Sequence, residues 1–163
     1  MCDKNTLRST GKCPVCFSKN KEPFIIGGFM SKNSRVFLGG TCNNSTWRDE
    51  LINMISVDYF NPVVKDWTPE CQDVEMDEKE NKCNIHLYVI TKEMIGTFSI
   101  AEAVDSSHNK NVRTILHIIP NGFDEKQLKS LKAVIDLVNL RGGIAYCDEN
   151  ISRTAHVINN CFG

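Results

Sequence analysis

From Arg35 onward, short apolar runs alternate with segments in which apolar residues recur at helical spacing. Val36-Phe37-Leu38 predicts a short strand ending in Gly39-Gly40-Thr41. Trp47, Leu51, Met54 and Ile55 then fall at i, i+4, i+7 and i+8, a helix that Ser45 or Thr46 would cap. Tyr59-Phe60-Asn61-Pro62-Val63-Val64 predicts a second strand. After it comes an acidic segment with Glu70, Asp73, Glu75, Asp77, Glu78 and Glu80, most of it expected to be a solvated helix face.

Ile85 to Thr91 is a continuous apolar run, as in strands buried on both faces. A short helix is predicted from about Ser99, and Thr114 to Ile119 is another buried strand. Asp124 should cap a long helix with Leu128, Leu131, Ile135 and Val138 on one face, closing at Arg141-Gly142-Gly143. Ile144-Ala145-Tyr146 gives the last strand. Asp148 is expected to cap a terminal helix with Ile151, Ala155 and Ile158 turned inward.

This βα alternation predicts an α/β fold: a parallel five-stranded sheet with helices on both faces, in a flavodoxin-like doubly wound order. Ligands of such folds bind at the carboxyl ends of the strands, near the switch point. Residues 1–34 lack the pattern and read as a basic, cysteine-containing N-terminal extension ahead of a domain at 35–163. Residues 1–35 hold seven Lys or Arg against Asp3 and Glu22.

Composition narrows the class. The chain of 163 residues is 41% hydrophobic, ordinary for a globular domain. With 19 Lys and Arg against 20 Asp and Glu, the net charge of −1 gives no chain-wide footprint for nucleic acid or an anionic membrane. No apolar run reaches membrane-spanning length, and MCDKNTLRSTGK has no apolar signal region, so a cytoplasmic protein is expected. Of eight cysteines, Cys2, Cys42, Cys71, Cys83, Cys147 and Cys161 are scattered and read as small core hydrophobes. Cys13 and Cys16 form a C-P-x-C turn, half of a structural zinc site at most, and no other cofactor is indicated.

Chemistry should sit just after the strands. Gly39, Gly40, Thr41, Asn43 and Asn44 follow the first; the paired glycines let backbone approach a ligand, although a bare tight turn also explains them. Asp66 and Trp67 follow the second, an aromatic face for stacking beside a carboxylate for hydroxyls, unless the Trp folds over the sheet edge. Met94 lies in the loop after the third. Ser99 and Glu102 stand at capping-box spacing, where Glu102 would reach back to the Ser99 amide. A glutamate held at the pocket mouth could instead attack an electrophilic carbon. His86 and His117 read as packing residues within strands, while His108 and His156 lie in polar or helical settings. No Ser-His-Asp set or HExxH is present.

Val36-Phe37-Leu38-Gly39-Gly40-Thr41, then Asn61-Pro62-Val63-Val64-Lys65-Asp66-Trp67, then Leu87 to Ser107 together resemble the nucleoside 2-deoxyribosyltransferase-like family, its bacterial and phage branch, over residues 35–160. The resemblance implies a flavodoxin-like fold and cleavage of the N-glycosidic bond of 2′-deoxynucleosides, with deoxyribose passed to another base. It maps the nucleophile to Glu102. Gly39, Gly40 and Thr41 would face the sugar, Trp67 and Met94 would wall the base, and Asp66, Asp77 or Glu75, and Ser99 would contact substrate. It further implies a nucleoside or nucleotide and a free nucleobase as partners, and a homo-oligomer. The chain departs from the family at Met94-Ile95-Gly96-Thr97 and at Asn84, where many members carry Asp, so a proton donor would come from the 70–80 segment. Two alternatives stay open: an N-glycosidase that gives the sugar to water, and a non-catalytic nucleotide-binding module in which Glu102 only caps.

Overall fold

The computed structural model describes residues 34–66 and 68–161, apart from the Cys161 side chain. The elements run β1 (Arg35–Gly40), α1 (Trp47–Ile52), β2 (Asp58–Phe60), α2 (Pro69–Asp77), β3 (Ile85–Ile90), α3 (Phe98–Ser106), β4 (Arg113–Ile118), α4 (Glu125–Leu140), β5 (Ile144–Cys147) and α5 (Ser152–Cys161). Helix α2 runs on into a π-helical turn, Glu78–Lys82.

All five strands pair in parallel, in the order β2-β1-β3-β4-β5. That is the flavodoxin-like doubly wound order, with the switch point between β1 and β3. Side chains alternate across the strands because the pleat has a period of two. Val36, Leu38, Ile85, Leu87, Val89 and Ile115 face one layer with Trp47 and Leu51 of α1 and Ala155 and Ile158 of α5. Phe37, Tyr88, Ile90, Leu116 and Ile118 face the other, with Ala103 of α3 and Leu131, Ile135 and Val138 of α4. The central strand β3 is buried throughout, so its sequence reads as a continuous apolar run.

Several local expectations need correcting. Strand β2 stops at Phe60 rather than running to Val64: it is the edge strand, and Pro62 has no amide to donate. Thr46 stands at the N-cap of α1, but its side chain makes no capping bond; its hydroxyl bonds the Glu50 carboxylate instead, at 3.3 Å. Asp148 stands one turn ahead of α5, where it accepts from the Asn150 amide and pairs with Arg153, while Asn150 takes the Ser152 amide. Among the described cysteines only Cys83 is buried, its thiol pushed up to about 11 by burial; Cys42 and Cys147 are exposed. Cys2, Cys13, Cys16 and the Trp67 side chain lie outside the described residues. Among those described, no helix is long and apolar enough to cross a membrane, and no group of three metal-ligating side chains occurs.

Asp124 caps α4 as expected. Its carboxylate accepts from the Gln127 amide at 2.8 Å, and Gln127 Oε1 accepts from the Asp124 amide at 2.9 Å. Asp124→Ala removes the carboxylate half of this box and should cost about 1 kcal/mol, read as a lower denaturant midpoint with an unchanged slope.

Candidate active site

A cavity of about 820 Å³ opens at the carboxyl edge of β1, between α2 and the start of α3. Its floor is Gly39 and Gly40. A Cβ on Gly39 would meet the rings of Phe37 and Tyr88 at 2.8 Å, so backbone alone forms this surface. One wall is apolar, from Pro62, Val63 and Val64 after β2, Met76 of α2 and Phe98 of α3. The other is charged: Glu75, Lys79 and Glu80 from α2 and its π turn face Glu102 and Asp105 of α3.

The local chain explains who points inward. Pro69 opens α2 at a position whose amide needs no partner. Gln72, Glu75, Met76 and Lys79 then recur at i, i+3, i+4 and i+7, a single helical face, and all four line the cavity. The turn widens at Glu78–Lys82, where the Cys83 amide bonds the Glu78 carbonyl five residues back at 2.9 Å. Such π turns are frequent at functional sites. Here it aims the Lys79 side chain at the cavity and the Lys79 carbonyl at the sheet.

Glu102 is held by Lys79, whose Nζ lies 2.9 Å from Glu102 Oε1, with only about 15% of either side chain exposed. The capping-box expectation is overturned. Helix α3 starts at Phe98 with Thr97 as its N-cap, so Glu102 sits in the second turn, beyond reach of the first amides. Its carboxylate turns into the cavity instead. Burial works against the Lys79 charge, but Tyr88, Glu102 and Glu80 more than offset it, and its pKa is raised. Across the cavity, half-buried Glu75 has its pKa raised, first by burial and then by the charge of Glu102; Lys79 and Arg48 pull the other way.

Arg48 is a site residue that sequence reasoning missed. It is buried beneath the turn after β1 and donates to the carbonyls of Leu38 (3.0 Å), Thr41 (2.6 Å) and Gly40 (3.3 Å). Its guanidinium also lies 4.3 Å over the Trp47 ring. Arg48 therefore fixes the cavity floor. Lys79 and Asp105 were missed as well. The one legible signal was the α2 face, hidden within what reads as an acidic surface.

Of the residues named from sequence, Gly39, Gly40, Ser99, Glu75 and Glu102 come together around this cavity. Thr41 is buried beside it, its hydroxyl accepting from the Thr91 amide at 3.0 Å. Met94 packs against the core layer under α3 and α4. Asp66 is exposed, and Asp77 points outward to Lys82 at 2.8 Å. Asn44, with φ of +46°, lines a separate cleft of about 320 Å³. His86 and His117 are buried, as expected of packing residues.

Fold and site define a flavodoxin-like α/β domain with an acidic, half-apolar pocket at its switch point. The family described as "Nucleoside 2-deoxyribosyltransferase like" matches residues 33–120, more than half of the chain, so this protein belongs to that family. No curated protein and no solved structure matches it significantly.

Proposed function

We propose that residues 35–163 catalyse transfer of 2-deoxyribose between nucleobases, with Glu102 as nucleophile. The observation carrying this reading is the Glu102 carboxylate, paired with Lys79 at 2.9 Å on the wall of a nucleoside-sized cavity, in a chain of this family. An ionised carboxylate beside a cation is a ready nucleophile. The apolar wall of Val63, Val64, Met76 and Phe98 suits the face of a base, and the glycine floor leaves room for the sugar.

In the first step, a Glu102 oxygen bonds C1′ of the deoxynucleoside while the bond from C1′ to the base nitrogen breaks. Its electron pair leaves with the base, which takes a proton from Glu75. In the second, a nitrogen of the incoming base attacks C1′ and the ester bond to Glu102 breaks. The carboxylate is regenerated and the incoming base returns a proton to Glu75. Two displacements replace one difficult one, as in retaining glycosidases.

Glu75 must carry its proton for the first step. Because its pKa is raised, the protonated form persists to higher pH than in an ordinary carboxyl, and cleavage should fall as pH rises through that value. Glu75→Gln should lower kcat about 100-fold for ordinary deoxynucleosides and abolish this limb of the pH profile. A 7-methylated purine deoxynucleoside, whose cationic base leaves without a proton, should be cleaved nearly as fast as by the unaltered protein. Equal losses on both substrates would remove Glu75 from this role.

The reading is tested by incubating the full chain with 2′-deoxynucleosides and their 5′-monophosphates, with and without a second free base. A new deoxynucleoside that forms only with the added base is the expected product. Free base in both conditions would make the protein a hydrolase. No product from demonstrably folded protein would overturn the reading.

A further inference from the structure

Behind Glu102 a line of buried polar side chains runs back into the sheet, and no step of the reaction above uses it. His86 and Tyr88 stand two apart on β3 and so project to the same face. Both reach Ser106 in the last turn of α3: His86 Nδ1 lies 3.1 Å from Ser106 Oγ, and the Tyr88 hydroxyl 2.8 Å. On its other side His86 Nε2 lies 2.9 Å from the Lys79 carbonyl. Lys79 is thus held at both ends, by its main-chain carbonyl on His86 and by its ammonium on Glu102 at 2.9 Å. His86, Tyr88 and Ser106 are all buried.

The direction of each bond follows from what each group can donate. A carbonyl only accepts, so His86 Nε2 carries a proton. Burial lowers the His86 pKa, and of the charges that face the ring Lys79 opposes its protonation while Glu80 favours it. The Phe37 ring edge, the neutral Ser106 and the Cys83 main chain also face the ring. The ring is neutral, and Nδ1 accepts the one proton of Ser106. The Ser106 oxygen then accepts from Tyr88, whose pKa burial pushes up to about 12, so the phenol has its proton to give.

We infer that His86, Ser106 and Tyr88 are positioning residues: their one-way hydrogen-bond chain fixes Lys79 and, through it, the Glu102 carboxylate. The inference rests on Glu102 being the nucleophile. A histidine in the opposite tautomer would have no Nε2 proton for the Lys79 carbonyl, and either that tautomer or an imidazolium would reverse Ser106 and Tyr88.

Tyr88→Phe and Ser106→Ala each delete one oxygen and leave the packing in place. Each should lower kcat about tenfold while KM stays within about twofold, as for a group that acts only on the reacting geometry. In a Lys79→Met background both deletions should leave kcat unchanged, because without the ammonium the chain no longer reaches Glu102. Losses of the same size in that background would overturn the inference. Nitrogen-15 NMR of His86 in the full chain supplies an independent reading at neutral pH. The neutral Nε2–H tautomer is expected; the Nδ1–H tautomer or an imidazolium overturns the chain whatever the activity of Lys79→Met. Were the unaltered protein to cleave no glycosidic bond, the assignment of Glu102 would fail, and the NMR result would still decide the direction of the chain.

Discussion

Glu102→Gln is expected to yield a folded protein that has lost on the order of 10⁴-fold or more in kcat, the scale on which enzymes lose a covalent nucleophile. The amide nitrogen of glutamine has no lone pair free to form the ester, while the amide oxygen can still accept from Lys79. The fold survives because Glu102 caps nothing: α3 opens at Thr97 and Phe98, and Lys79 keeps Glu80 at 3.6 Å. Turnover and thermal unfolding are measured on the same preparation. Activity near that of the unaltered protein would remove Glu102 from the chemistry. Lost activity together with a lost unfolding transition would instead make it a structural residue.

The largest effect on stability should come from Gly40→Ala. Gly40 has φ of +111°, a conformation that L side chains rarely adopt. An added Cβ would stand 2.1 Å from the Val89 carbonyl oxygen and 2.6 Å from the Val89 nitrogen. Neither can move aside. Gly40 faces Val89 in the β1–β3 register, and the same carbonyl takes the Thr41 amide at 2.9 Å. Strain and clash together should cost more than about 4 kcal/mol, enough to deplete soluble protein or shift its midpoint drastically. Gly96→Ala is the matched control, since nothing lies within 4 Å of a Cβ there. A Gly40→Ala protein with the midpoint of the control would contradict this view of the cavity floor.

These two residues also mark how far the sequence could be read. The Gly39-Gly40-Thr41 turn stood out as a place where backbone approaches something. In Gly40 that something is first the neighbouring strand, which no local pattern reveals. Glu102 was legible as a reactive position, but the S-x-x-E spacing suggested a cap that Thr97 displaces by starting the helix two residues earlier than Ser99. Element order and the buried runs of β1, β3 and β4 were readable because both faces of those strands are covered, so apolar residues dominate them without a period-two alternation. The short β2 was overread, since an apolar run on an edge looks like a strand until Pro62 ends the pairing. Lys79 and Arg48 were invisible for a different reason. Each is a charged residue whose partners, Glu102 at 2.9 Å and the Thr41 carbonyl at 2.6 Å, are set by tertiary packing.

The central claim, covalent catalysis by Glu102, is tested most directly by trapping the intermediate. The full chain is mixed rapidly with a 2′-deoxynucleoside in the absence of a second base, quenched in acid, digested and analysed by mass spectrometry. A single deoxyribosyl group on the peptide carrying Glu102, absent from Glu102→Gln and discharged when free base is added before the quench, is the predicted result. Base release with the adduct on another residue, or with no adduct at any mixing time while product accumulates, would contradict it.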